Sequence, residues 1–305
     1  LVIMESITTT FLGTSGSIPQ KGRNFFSAVV SFSGSNLLFD CPEGTQRQLM
    51  QSKISLMRIS HVFISHMHAD HFLGLFGWIA TMTLNQRHEP LVIFSPRGGK
   101  QKIERILREV VRPSFPIEFK EIKTGVLLKA KTFSVKAFPL KHEIACYGFV
   151  FKENDKAGEF NRKKAEKLGI PAGPAYAKLV KGKTITVKGK KITKKDVMDY
   201  SKKRVGRKIV VVTDTRPIKA TITNAKDADL LIHETTFLDE HKDKAIEALH
   251  STTTEVAEIA KKAKVKKLVA VHFSARINDT KEISKQVKKI FPNIIVAKDF
   301  DEIKL

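Results

Sequence analysis

The residues best equipped for chemistry sit in one six-residue run, His66-Met67-His68-Ala69-Asp70-His71. Imidazole nitrogens and carboxylates are good ligands for zinc and similar divalent cations. Four such groups so close in the chain cannot easily turn toward one ion, but they can serve two adjacent ions. A surface cluster of polar residues would rarely combine three histidines and an aspartate at this spacing. The apolar stretch Val62-Phe63-Ile64-Ser65 precedes the run, and helical apolar spacing follows it over 72–86. The run therefore falls in a loop between a buried strand and a helix.

A second constellation lies further on. His233-Glu234-Thr235-Thr236-Phe237 is followed by His250-Ser251-Thr252. Thr252 and Glu255 form a capping box that starts a helix. His250 comes just before that N-terminus, where free N–H groups and partial positive charge welcome phosphate. On spacing alone the ordinary reading, a residue that merely precedes a cap, stays open.

The elements that must position these groups are short. Apolar strands are predicted at 7–12, 28–32, 36–39, 61–65, 91–95, 133–138 and 147–151, with helices at 72–86 and 100–111. Residues 152–207 then lose the apolar rhythm and fill with lysine, glycine and proline. The pattern resumes at Ile209-Val210-Val211-Val212 and runs through strands at 230–233, 268–271 and 294–297 and helices at 252–263 and 281–290. We expect one α/β domain, made of 1–151 and 208–305, interrupted by a basic insertion at 152–207. Strands on either side of helical segments suit a sheet-on-sheet core covered by helices.

Composition narrows the partners. The 305 residues carry a formal charge of +23, a field that attracts polyanions, nucleic acid first. No apolar run approaches the roughly 20 residues needed to span a bilayer, and no signal-peptide pattern opens the chain. Cys41 and Cys146 are the only cysteines, which suits a reducing compartment. The expectation is a cytoplasmic protein with no membrane association.

The histidine run resembles the signature of the metallo-β-lactamase superfamily, whose remaining ligands lie at distant strand ends. Matching positions are His142 after 133–138, Asp214 after 209–212 and His272 after 268–271. Taken singly, each has an ordinary reading, a capping aspartate or a histidine satisfied at a strand end. Together, and in the family's order, they complete a ligand set. The resemblance implies an αββα sandwich holding two Zn2+ per subunit, with Mn2+ or another divalent metal as the alternative. It implies His66, His68 and His142 on one metal, Asp70, His71 and His272 on the other, and Asp214 as the bridge. Two such ions about 3.5–4 Å apart activate a water and stabilise the entering and leaving oxygens of a phosphodiester. Asp40, in Phe39-Asp40-Cys41-Pro42-Glu43-Gly44-Thr45, matches the superfamily's first acidic motif and implies a hydrogen bond that orients a ligand.

Finer features are similar to ribonuclease Z, the endoribonuclease family that removes 3′ trailers from precursor tRNA. They are the opening Phe11-Leu12-Gly13-Thr14-Ser15-Gly16, the loop Pro19-Gln20-Lys21-Gly22-Arg23-Asn24, and the run from Phe39 to Gln48. The resemblance implies metal-hydroxide attack that leaves a 3′-hydroxyl on the tRNA, with Asp70 orienting the nucleophile. It implies that His250 protonates the leaving oxygen while Glu234 holds its ring. It also implies RNA contacts by Lys21, Arg23, Asn24, Ser274 and Arg276. The insertion is similar to the family's flexible tRNA-binding arm, through Gly173, Pro174, Lys178, Lys181 and Lys183. The length matches the short form, which implies a homodimer. Pro42, Thr213 and Ile277 depart from the family pattern, and none is a ligand. The alternatives are another phosphodiesterase or nuclease of the same fold and a non-catalytic tRNA-binding protein.

Overall fold

In the computed structural model, which describes residues 5–277 and 279–305, two seven-stranded sheets face each other. The first runs in the order Glu302–Lys304, Thr8–Gly13, Ser27–Phe32, Ser35–Phe39, Ile59–Phe63, Leu91–Ser95, Ile117–Glu121. The second runs Ile294–Val296, Leu268–Val271, Leu230–Glu234, Lys208–Val212, Tyr147–Glu153, Phe133–Pro139, Gly125–Lys129. Strands with apolar side chains on both faces must be covered on both faces. Val211 and Ile209 point into the inter-sheet core with Phe39, Phe63, Phe149 and Ile232. Their neighbours Val210 and Val212 pack outward with Val256, Ala260 and Ile283 of the helices Thr253–Lys262 and Lys281–Lys288. On the other sheet Val62 and Ile93 face Trp78, Ile79 and Ile103 of Gly74–Leu84 and Gly99–Val110. The layering is the αββα sandwich of the metallo-β-lactamase fold. Stacked rings fill its centre, with Phe63 and Phe94 4.7 Å apart.

Each sheet contains a run of parallel strands: Ser35–Phe39, Ile59–Phe63, Leu91–Ser95 and Ile117–Glu121 in the first, and Lys208–Val212, Leu230–Glu234, Leu268–Val271 and Ile294–Val296 in the second. In parallel α/β sheets the ligand-binding crevice lies beyond the carboxyl ends of the strands. Asp40, His66, Asp214 and His272 all follow such ends within a few residues. The helix expected over 72–86 begins earlier and divides into Ala69–Phe72 and Gly74–Leu84. The division brings Gly74 against the loop after Phe39. Gly74 N–H donates to the Cys41 carbonyl at 2.9 Å, and Cys41 N–H donates to His71 O at 2.8 Å.

Some short elements were absent from the sequence reading. The strands Ile117–Glu121, Gly125–Lys129 and Glu302–Lys304 are short sheet-edge strands, most of whose residues are exposed or half-exposed. The helix Thr45–Gln51 buries only Thr45 and Leu49.

The chain divides into two compact units, Leu1–Lys152 with Lys208–Leu305 and the insertion Glu153–Arg207. The insertion, expected as an arm without apolar rhythm, has short elements of its own. Lys156–Phe160 pairs with Met198–Arg204, and Ile185–Val187 with Lys190–Ile192. Ala165, Ile170, Leu179, Ile192 and Val197 form a small core that is too sparse to show as a period in the sequence. Arg204 and Arg207 both donate to the Glu153 carboxylate, at 2.9 and 2.8 Å.

A methyl group on Gly74 would stand 1.8 Å from the Pro42 carbonyl oxygen, so the backbone must move to admit it. Overpacking of this kind predicts that Gly74→Ala lowers unfolding free energy by about 3 kcal/mol. Urea unfolding measures the change, and an unaltered midpoint and slope would refute the close approach.

Candidate metal centre

At the carboxyl ends of the two sheets, eight side chains converge. The donor atoms of His66, His68, His142 and Asp214 lie within 4.8 Å of one another, as do those of Asp70, His71 and His272. Asp214 stands between the groups. Its Oδ2 is 3.6 Å from both His66 Nε2 and His71 Nε2 and 3.8 Å from His142 Nε2, while its Oδ1 is 3.1 Å from His272 Nε2. Asp214, His250 and His272 form a third set within the same reach.

The donor set fits divalent cations. His71 Nε2, His272 Nε2 and Asp214 Oδ1 are buried and make no well-aligned hydrogen bond. Such orphaned atoms are costly inside a protein unless something else satisfies them. His68 Nδ1 also lies 3.1 Å from His66 Nε2 and 3.3 Å from His142 Nε2, a meeting of ring nitrogens that a cation would relieve. His66, His71, Asp214 and His272 are buried, whereas His68, Asp70 and His142 are half-exposed. The cluster therefore has one open side.

Hydrogen bonds on the outer nitrogens decide which nitrogen faces inward. Asp40 accepts from Ser65 N–H at 2.7 Å and from the Ser65 hydroxyl at 2.8 Å. It also accepts from His71 Nδ1 at 2.8 Å, which makes Nε2 the nitrogen that faces the cluster. With its proton given to Asp40, Ser65 Oγ accepts from His66 Nδ1 at 3.0 Å. The Leu249 carbonyl lies 3.4 Å from His142 Nδ1. Thr236 is the counterpart on the second sheet. Its hydroxyl donates to Glu234 Oε2 at 2.6 Å and accepts from His272 Nδ1 at 3.0 Å. Asp40 and His272 adopt left-handed backbone conformations, φ 55° and 59°. Strain of that kind in non-glycine residues clusters at functional sites.

Charge within the cluster is tightly coupled. Burial would raise the Asp214 carboxyl, but His272, His71 and His250 hold it well below the usual range. Burial disfavours a charged His71, yet Asp214 and Asp40 outweigh it and keep the ring protonated well above its ordinary pKa. Capture of a cation there must expel that proton. His250 hydrogen-bonds Glu234 Oε1 through Nδ1 at 3.2 Å, and its Nε2 lies 3.9 Å from Asp214 Oδ2. Burial would lower His250 as well, but Glu234 and Asp214 push it up to about 9.

The other residues singled out by sequence sit around this centre or in the insertion. Lys21 is exposed at a loop tip, and Arg23 lies 5.3 Å over the Phe273 ring. Asn24 is engaged within the protein, donating its side-chain amide to Glu43 O and its N–H to Asp299. Ser274 is buried and accepts from Arg276 N–H, and Arg276 is exposed. In the insertion Gly173 and Pro174 begin the helix Pro174–Val180, and Lys178, Lys181 and Lys183 are exposed. Sequence reasoning missed Ser65 and Thr236. Ser65 stands next to His66 and Thr236 lies inside the run His233–Phe237, and that placement was the only signal available.

Comparison with known proteins decides the family. Residues 7–157 match the model for the anti-Pycsar protein Apyc1, and 174–273 match the beta-lactamase superfamily domain. A ribonuclease Z of Archaeoglobus fulgidus is 46% identical over 296 residues, covering 95% of each chain. This chain belongs to the ribonuclease Z family. It is an endoribonuclease of metallo-β-lactamase fold. Ribonuclease Z of Methanosarcina acetivorans is 42% identical over 298 residues, with 97% of each chain covered. The crystal structure of human tRNase Z, short form, aligns with 97% of this chain and 98% of its own, at 28% identity and a TM-score of 0.70. Among the described residues of this ribonuclease Z family member, no helix is long and apolar enough to cross a membrane.

Because Asp40 sets the His71 tautomer, Asp40→Asn should weaken divalent metal binding by about 10–100-fold while the chain stays folded. Competition with a chromogenic chelator reads the affinity. Metal retention equal to wild type would remove Asp40 from the centre.

Proposed function

We propose that this chain removes the 3′ trailer from precursor tRNA, hydrolysing one phosphodiester bond with two zinc ions and leaving a 3′-hydroxyl on the tRNA. The carrying observation is the His250–Glu234 pair, set beside a seven-residue cluster able to hold metal in a chain that matches a ribonuclease Z relative over 95% of each. His66, His68 and His142 would hold one cation, Asp70, His71 and His272 the other, and Asp214 both. Bound there, the cations supply an activated water and positive charge against the phosphodiester oxygens.

The remaining work belongs to the chain's own side chains. Asp70 orients the nucleophile, its Oδ2 already fixed by the Ser17 N–H at 3.0 Å. His250 points Nδ1 at Glu234, so Nε2 is the atom that faces the cluster. In the metal-free chain Glu234 and Asp214 outweigh burial and push the ring up to about 9, and the Glu234 carboxylate favours its protonated form. The ring donates that proton to the departing 3′ oxygen. Lys21, Arg23 and Arg276 contact RNA near the cut. The exposed Lys178, Lys181 and Lys183 grip phosphates of the tRNA body, drawn by a chain of formal charge +23. The enzyme works as a homodimer in the cytoplasm.

Digestion of a 3′-extended precursor tRNA, with the cut mapped to the nucleotide, tests the reading. One cut at the junction is expected, abolished by chelator and restored by zinc; zinc-loaded protein that leaves the trailer intact would overturn it. The acid is tested by pH. Activity should fall as pH rises through the His250 pKa. Glu234→Gln removes the charge that raises this pKa, so the alkaline limb should move to lower pH and turnover should drop about 10²-fold. An alkaline limb in the wild-type position would exclude His250 as the donor.

A further inference from the structure

The loop 14–24 is closed at its neck by backbone bonds. Thr14 N–H and Ser15 N–H both donate to Asn24 O, at 2.9 and 2.8 Å. The N–H of Asn24 turns instead to a side chain remote in sequence, Asp299, whose Oδ2 it reaches at 2.7 Å. The same carboxylate accepts the Thr14 hydroxyl on Oδ1 at 2.8 Å and the Gln48 amide on Oδ2 at 3.1 Å. One group thus ties the first and last residues of the loop to each other and to the helix Thr45–Gln51.

The segment that presents Asp299 is held in a strained turn. Phe300 has φ 70°, an outlying conformation for a bulky aromatic residue. Four bonds enforce it. Phe300 N–H donates to Phe11 O at 2.7 Å, and Phe11 N–H donates to Asp301 O at 3.0 Å. Asp301 N–H returns to Lys298 O at 3.1 Å, and Lys298 N–H donates to the Asp301 carboxylate at 2.9 Å. Strain persists only where the surroundings over-determine it, and here it aims one carboxylate at the loop neck.

The far side of the loop lies on the metal cluster. Ser17 N–H donates to Asp70 Oδ2 at 3.0 Å, and Gly16 N–H donates to the carbonyl of Phe273, the residue after His272, at 2.9 Å. Gly16 packs so closely that a Cβ there would stand 2.4 Å from the His272 ring. We propose that Asp299 is a positioning residue for the reaction, clipping the loop 14–24 shut so that its far side fixes Asp70 and walls in His272. The assignment rests on the reading of Asp70 and His272 as ligands. Asp299 itself touches neither substrate nor metal.

The test compares Asp299→Ala with Asp299→Asn in the zinc-loaded full chain. The asparagine can still accept from Asn24 and Gln48 on Oδ1 and can donate to Thr14 Oγ1, so the clip survives. The alanine abolishes it. In Asp299→Ala, amide exchange in residues 14–24 should quicken by about tenfold or more while the strands Ser27–Phe32 and Ser35–Phe39 exchange as in wild type. Turnover of precursor tRNA and of bis(p-nitrophenyl) phosphate should both fall about tenfold or more, with KM for the small diester unchanged. Asp299→Asn should recover most of both losses. Wild-type loop exchange and turnover in Asp299→Ala would overturn the proposal. So would equal losses in both variants with faster exchange throughout the first sheet, which marks a purely structural role. If Asp299→Ala does not fold, Thr14→Val and Gln48→Leu each remove one donor and should loosen the same loop to a smaller degree; unchanged exchange in both would overturn the clip. A wild-type protein that cuts no precursor tRNA, with loop exchange still responding to Asp299→Ala, upholds the clip and defeats the substrate reading alone.

Discussion

A buried carboxylate surrounded by imidazoles is the constraint on which the rest of this structure depends. Asp214 brings one or other oxygen within 3.1–3.9 Å of His66, His71, His142, His250 and His272, which come from both halves of the sandwich. Burial of such a group is costly unless charge is balanced around it. Balance requires that the strand ends of both sheets meet on one edge and that each ring present a chosen nitrogen. Asp40 with Ser65 on one sheet, and Glu234 with Thr236 on the other, meet the second requirement. The two pairs are built alike: a buried carboxylate, a hydroxyl that relays it, and a histidine whose outer N–H is thereby fixed.

Glu234 carries a further duty. Through Thr236 it reaches His272, and directly it holds His250, whose N–H faces the carboxylate. One buried acid therefore bears on both a candidate ligand and the proposed proton donor. It also accepts the N–H groups of Thr215, Thr236 and Ser251, which pins the loops after Lys208–Val212 and before the helix Thr253–Lys262. Disturbance of Glu234 would reach several loops at once.

Much of the candidate centre was legible in the sequence because its histidines and aspartates are rare types in ordered places. His66, His68, Asp70 and His71 cluster within six residues, and His142, Asp214 and His272 each follow an apolar run. The αββα layering was legible where strands are buried on both faces, as at Ile209–Val212. What stayed hidden obeys the opposite logic. Ser65, Thr236, Ser17 and Asp299 are ordinary polar residues whose value comes from partners far along the chain. Asn24, expected at the RNA, is occupied by Glu43 and Asp299. The edge strands Ile117–Glu121 and Glu302–Lys304 alternate but carry only two and one apolar residues, too few to announce a strand, and the insertion's core rests on five scattered side chains.

The central claim is that Asp214 joins two cations into one centre, and metal stoichiometry tests it most directly. Wild-type protein dialysed against zinc and analysed by atomic emission should hold about two ions per chain, because seven candidate ligands exceed one tetrahedral site. Asp214→Ala should lose affinity for both together, with the fold retained by circular dichroism. One ion in the wild type, or an Asp214→Ala protein that keeps the wild-type complement, would contradict the account.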